Sequence, residues 1–127
     1  MANLTTIDGF QYSFTPDSVS LVLDHDPNTG LAVTCVFGIT AGVIQIAETV
    51  DGFLARIGVT NRFAVLSRPN RSSAWINCAA AKSVRAPLPD EYVAGVQAVI
   101  AVGSLNLGVT ETLAATIAAL NANGGNL

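Results

Sequence analysis

The feature that most constrains this chain is a pattern that occurs twice. Glu48-Thr49 precedes Val50-Asp51-Gly52-Phe53-Leu54-Ala55-Arg56-Ile57. At an offset of 63, Glu111-Thr112 precedes Leu113-Ala114-Ala115-Thr116-Ile117-Ala118-Ala119-Leu120, with apolar residues at the same places. Upstream, the run Gly30–Gly38 matches Gly95–Gly103 at an offset of 65. Tyr12 and Phe14 align with Trp75 and Asn77 at an offset of 63, as Ser20-Leu21 does with Ser83-Val84. A unit of this size buries too little apolar surface to be robust alone and gains by packing on a second copy. The chain therefore reads as a tandem duplication, residues 1–60 and 61–127, packed about a pseudo-two-fold axis into one compact domain over 1–127.

Each copy reads as antiparallel strands closed by one helix, an α+β fold. In the first copy the pattern predicts strands over Asn3–Ile7 and Phe10–Phe14 around an Asp8-Gly9 hairpin turn, whose residues tolerate positive φ. Phe10, Tyr12 and Phe14 alternate onto one face. Strands over Val19–Leu23, Leu31–Phe37 and Val43–Ala47 follow. The second copy predicts strands over Phe63–Ser67, Ala74–Asn77, Ser83–Ala86, Val96–Val102 and Leu107–Thr110. Thr49 and Thr112 are in position to cap the two helices. Val50, Phe53, Leu54 and Ile57 make one helical stripe, and Leu113, Thr116, Ile117 and Leu120 make another.

Composition then narrows the function classes. Half the residues are hydrophobic and 12% are charged, against roughly 25% in average domains. A surface so poor in charge points to burial in a homo-oligomer. The net charge of −3 argues against general nucleic-acid binding. The distribution is uneven, because residues 1–60 carry Arg56 against six carboxylates, whereas residues 61–127 carry five cations against three. Such asymmetry suits head-to-tail contact between subunits, and equally an anion site in the second half. The uncharged stretches Pro27–Ala47 and Tyr92–Thr110 approach the length of a membrane span, but their glycines and β-branched residues read as buried strands. Two cysteines make no disulfide framework, and no leader is seen ahead of the polar residues after Leu4, so the expected location is cytoplasmic, or phage-associated.

The run Phe63-Ala64-Val65-Leu66-Ser67-Arg68-Pro69-Asn70, then Ala74-Trp75-Ile76-Asn77 and Val84-Arg85, ends in Val109-Thr110-Glu111-Thr112 and a helix. This half resembles the small flagellar-locus proteins of the FlbD/SwrD type, and the first half does so more faintly. Arg71 stands where the pattern has glycine, and the loop Pro87–Gly95 is longer. The resemblance implies a small β-rich accessory or interaction protein with no catalytic residues to carry over.

No catalytic constellation emerges from the residues. Asp24-His25-Asp26 resembles a metal site, but neighbouring residues on a strand point to opposite faces, and a solvated turn before Pro27-Asn28-Thr29-Gly30 fits better. Cys35 reads as core and Cys78 as partly exposed at a turn, with no activating neighbour in sequence. Glu48 and Glu111, equivalent by the repeat, are placed to favour their helix dipoles. The group worth pursuing is Arg68, Arg71, Trp75, Lys82, Arg85 and Tyr92, since guanidinium groups hold phosphates and aromatic rings stack on bases. The expected protein is a non-enzymatic, oligomer-forming structural or adaptor protein, with a phage or mobile element as its expected origin. It needs no metal or cofactor. A small-anion or nucleotide module with sites at subunit or repeat seams is the alternative, and a flagellar or transcriptional accessory regulator is a third.

Overall fold

The computed structural model describes residues 2–24, 33–40, 42–69, 72–91, 95–103 and 105–125. Among them the first half forms β1 (Ala2–Thr5), β2 (Gln11–Phe14), β3 (Leu21–Leu23), β4 (Thr34–Phe37), β5 (Ile44–Ile46) and α1 (Val50–Ile57). The second half forms β6 (Phe63–Ser67), β7 (Ser73–Asn77), β8 (Ala81–Arg85), β9 (Ala98–Val102), β10 (Leu105–Val109) and α2 (Leu113–Ala122). The fold is α+β, with ten strands in three antiparallel sheets and two helices among the described residues.

Strands β1 and β2 form a hairpin, β8–β9–β10 form a meander, and the largest sheet runs β5-β4-β3-β7-β6. That sheet mixes the halves, because β3 pairs with β7 through Leu21↔Ile76, Val22↔Trp75 and Leu23↔Ala74. All six seam residues are apolar, and successive ones face opposite sides. On one side Val22, Val36, Ile44 and Ile46 join Leu4 and Phe14 of the hairpin and Phe53 and Leu54 of α1 in one buried cluster. On the other, Leu21, Leu66 and Ile76 join Ile100, Val102 and Val109 of the meander and Leu120 of α2 in a second. The central sheet is thus covered on both faces, and each cluster borrows from the other half: Phe63 belongs to the first and Leu21 to the second.

The two hairpins share one register. Ala2↔Phe14 and Leu4↔Tyr12 in the first become Ala64↔Ile76 and Leu66↔Ala74 in the second, a displacement of 62 residues. The offset of 63 that matches Tyr12 with Trp75 by residue type differs from this displacement by one residue. A one-residue slip exchanges the faces of a strand; at a displacement of 62, Tyr12 and Phe14, which pack in the first cluster, align with Ala74 and Ile76, which are buried in the second. The meanders correspond less closely: Val22↔Val36 set beside Val84↔Ile100 gives displacements of 62 and 64, and Val36↔Ile44 set beside Ile100↔Leu107 gives 64 and 63.

Both helices begin at the expected residues. Thr49 Oγ1 accepts from Gly52 N at 3.1 Å and Thr112 Oγ1 from Ala115 N at 3.2 Å. Gly58, at φ 78°, ends α1 by donating to Leu54 O. The α1 stripe is buried as expected, whereas in α2 only Thr116 and Leu120 are buried and Leu113 is 38% exposed. In the first turn, Thr6 N donates to Phe10 O and Gly9 N to Thr6 O. These bonds take Ile7 and Phe10 out of the strands, so Phe10 does not share the inward face of Tyr12 and Phe14. Gly38, at φ 106°, closes β4 against the first half's linker, where a Cβ would lie 2.2 Å from Ser18 O. The predicted start of β4 at Leu31 lies outside the described residues.

Candidate functional site

The basic group does not assemble as one site. Arg71 and Tyr92 lie outside the described residues. Arg85, on β8, is already engaged: its Nη1 and Nη2 donate to the two carboxylate oxygens of Glu91, each at 2.7 Å. That pair, followed by the Leu88 N–H at 3.0 Å, holds the Glu91 carboxyl down at about 2. Lys82 is exposed at the start of β8, beside a break in register between Ala81 and Ser83. Arg68 sits at the neck of the β6–β7 hairpin, where its N–H donates to Ser72 O and its Nη1 to Ser72 Oγ at 3.3 Å. Its charge is felt by Cys35, on the sheet face opposite Trp75. Trp75 packs half-buried against the first cluster. It borders a cleft of about 300 Å³ lined also by Asp24, Thr34, Thr49 and Asp51, so its ring neighbours carboxylates rather than arginines.

The remaining chemistry-bearing residues are occupied in structural work. Cys78 is 2% exposed, not partly exposed as its turn position suggested, and burial raises its thiol pKa. Burial also raises that of Cys35, against lowering by Gln45 and Arg68. Thiols held protonated are poor nucleophiles. Asp24 is half-buried at the end of β3, while His25 and Asp26 lie outside the described residues. Among the described residues no group of three or more His, Cys, Asp or Glu gathers in a way that could hold a metal ion. Glu48 accepts from Arg56 Nε and Nη2, both at 2.8 Å. Glu111 instead accepts from Ser67 N with both oxygens at 3.0 Å. The two glutamates that precede the helices thus have different partners, a side-chain guanidinium for Glu48 and a backbone N–H for Glu111.

One surface stands out that residue types alone did not flag. Ile7, Phe10 and Val43 are 49, 67 and 49% exposed, and they line one groove of about 420 Å³ with Thr6, Asp8 and Tyr12. The groove lies where the tip of the first hairpin meets β5, held there by Ile7 N donating to Gln45 O at 3.0 Å. The signal for it was present in Asp8-Gly9-Phe10: an aromatic residue directly after a tight turn need not face the core. A smaller cleft of about 280 Å³ lies where the β4–β5 turn meets the β9–β10 turn, lined by Ser20, Phe37, Thr40 and Leu105 among others.

No helix among the described residues is long and apolar enough to cross a membrane. No protein-family model, curated protein or solved structure matches the chain.

Proposed function

We propose that this chain is a non-enzymatic, self-associating structural or adaptor protein, built as a tandem duplication of a unit of five strands and one helix. The duplication is supported by the common hairpin register at a displacement of 62 and by the same consecutive antiparallel order in the two meanders, β3–β4–β5 and β8–β9–β10. The observation that carries self-association is the groove of Ile7, Phe10 and Val43. A two-thirds-exposed phenylalanine beside two half-exposed aliphatic residues leaves contiguous apolar surface in water, the usual mark of an association site. Aromatic residues of this kind anchor interfaces. Sedimentation velocity across the micromolar range tests the reading. The expected result is a concentration-dependent assembly, and a monomer throughout would overturn it.

A second reading, small-molecule binding at the seam of the repeats, is favoured by the cleft between the two equivalent turns. No charged side chain lines it among the described residues, so it suits a neutral polar ligand better than an anion. Ligand-observed NMR with a neutral monosaccharide, compared with inorganic phosphate, separates the two. An accessory role of the flagellar-locus kind rests on the sequence resemblance alone.

A further inference from the structure

We infer that the cleft between the β4–β5 and β9–β10 turns binds one neutral monosaccharide ring per chain, anchored on the Ser20 hydroxyl; this rests on the second reading above, binding at the seam of the repeats, and names its ligand class.

The cleft brings repeat-related residues together. Gly38 and Gly103 close the matched runs Gly30–Gly38 and Gly95–Gly103, and they directly follow β4 and β9. Both take positive φ, 106° and 58°, a conformation that favours glycine. Both stand beside one residue, Ser20. A Cβ at Gly38 would lie 2.9 Å from Ser20 Oγ, and one at Gly103 would lie 3.8 Å from it. Glycine at these two positions therefore keeps the space around that hydroxyl open.

Ser20 is held on both sides by backbone. Its N–H donates to Phe37 O at 3.0 Å, and its C=O accepts from Asn77 N at 2.9 Å. Its hydroxyl makes no hydrogen bond to another described residue. The other hydroxyls of the lining donate within the chain, Ser18 to Thr15 O at 2.7 Å and Thr40 to Gly42 O at 3.2 Å. Ser20 thus offers a donor and an acceptor set in place before a ligand arrives, which lowers the cost of binding.

The lining narrows the ligand. No charged side chain borders the cleft among the described residues, so neither an anion nor a cation gains a partner by entering. A wholly apolar ligand would cover the Ser20 hydroxyl without replacing its hydrogen bonds to water. The space of about 280 Å³ falls just under the usual range of small-molecule pockets, roughly 300–1,000 Å³, and suits a single ring. The half-buried Phe37 lines the same space. A pyranose meets these conditions together. Its C–H face packs on an aromatic ring, and the hydroxyls at its edge both donate and accept.

Amide NMR of the full chain tests the site. The probes are the methyl glycosides of glucose, galactose and mannose, with N-methylacetamide and inorganic phosphate for comparison. At least one glycoside is expected to shift the amide signals of Ser20, Gly38 and Gly103, saturating at one ligand per chain in the millimolar range. Ser20→Ala is expected to weaken that binding about fivefold, the loss of one net hydrogen bond, with circular dichroism showing that the variant folds. A glycoside that shifts only other signals, or that binds Ser20→Ala as tightly as wild type, would overturn the Ser20 anchor. Shifts at these amides from N-methylacetamide and from no glycoside would overturn the sugar assignment and leave seam binding standing. No shift there from any neutral probe would overturn both.

Discussion

At the scale of single residues, buried polarity and local charge are the most readable determinants. Thr116 is fully buried in α2 and its hydroxyl has no hydrogen-bond partner among the described residues. An unmade buried hydrogen bond costs about 1–3 kcal/mol, and valine has the same shape without the hydroxyl. Thr116→Val is therefore expected to stabilise the protein by about 1 kcal/mol, read from urea midpoints at constant slope. Glu91 gives a pH prediction. Its folded-state pKa is depressed to about 2 from 4.5, so the Arg85–Glu91 tie is complete above the unfolded value and is lost as pH falls through about 2. The pair is exposed and screened, so the effect belongs to the loop after β8 rather than to global stability. A carboxyl-carbon NMR titration of Glu91 should show a midpoint near 2, rising toward 4.5 in Arg85→Gln. A midpoint unmoved by that substitution would show that Arg85 does not hold the carboxylate.

At the scale of elements, the two glutamates that precede the helices separate local from long-range roles. Glu111 ties α2's entry to the rim of β6 through a charged bond to a backbone N–H. Charge-assisted bonds of this kind are worth about 1.5–3 kcal/mol, and partial exposure reduces that here. Glu111→Ala is expected to lower stability by about 1 kcal/mol, with Glu111→Gln restoring part because its amide oxygen still accepts. Glu48→Ala should cost less, about 0.5 kcal/mol, since its partner Arg56 is a half-exposed ion pair. Equal losses in the two alanine variants would refute the distinction. The helices were legible in sequence because their signals are local: a capping threonine, a stripe at i, i+3 and i+4, and Gly58 after α1. The pairing of the hairpin strands was less legible, because residue types such as Tyr12 and Trp75 do not state the register that sets the faces. The candidate site was half legible. Arginines advertise charge, but nothing in their type says that Glu91 already holds Arg85, or that Trp75 turns toward Asp24 and Asp51.

At the scale of the whole molecule, the decisive feature is the β3–β7 seam, a non-local pairing that no sequence window contains. It places Val65, Trp75, Val22, Val36 and Ile44 in one row across both halves. By the same displacement of 62, the counterpart of this seam would join β8 to β2, with Ser83, Val84 and Arg85 against Phe14, Ser13 and Tyr12. That pairing is not among the sheets formed by the described residues. The contrast has a physical basis, because the formed seam is apolar throughout while the other would bring two serines and an arginine into it. Polar and charged side chains on a strand edge oppose pairing. This seam couples the halves together with the shared clusters, since Leu21 serves the second half's core and Phe63 the first's. Neither half can open without exposing apolar surface of the other. Unfolding is therefore expected to be a single transition, with the fluorescence of Trp75, the sole tryptophan, following the same curve as far-UV circular dichroism. Leu21→Ala, a truncation at a site 2% exposed in the seam, should cost about 2–5 kcal/mol and move both probes together. If the tryptophan signal shifted while the dichroism curve split into two steps, the halves would be separate folding units and the seam would be a contact rather than a shared core.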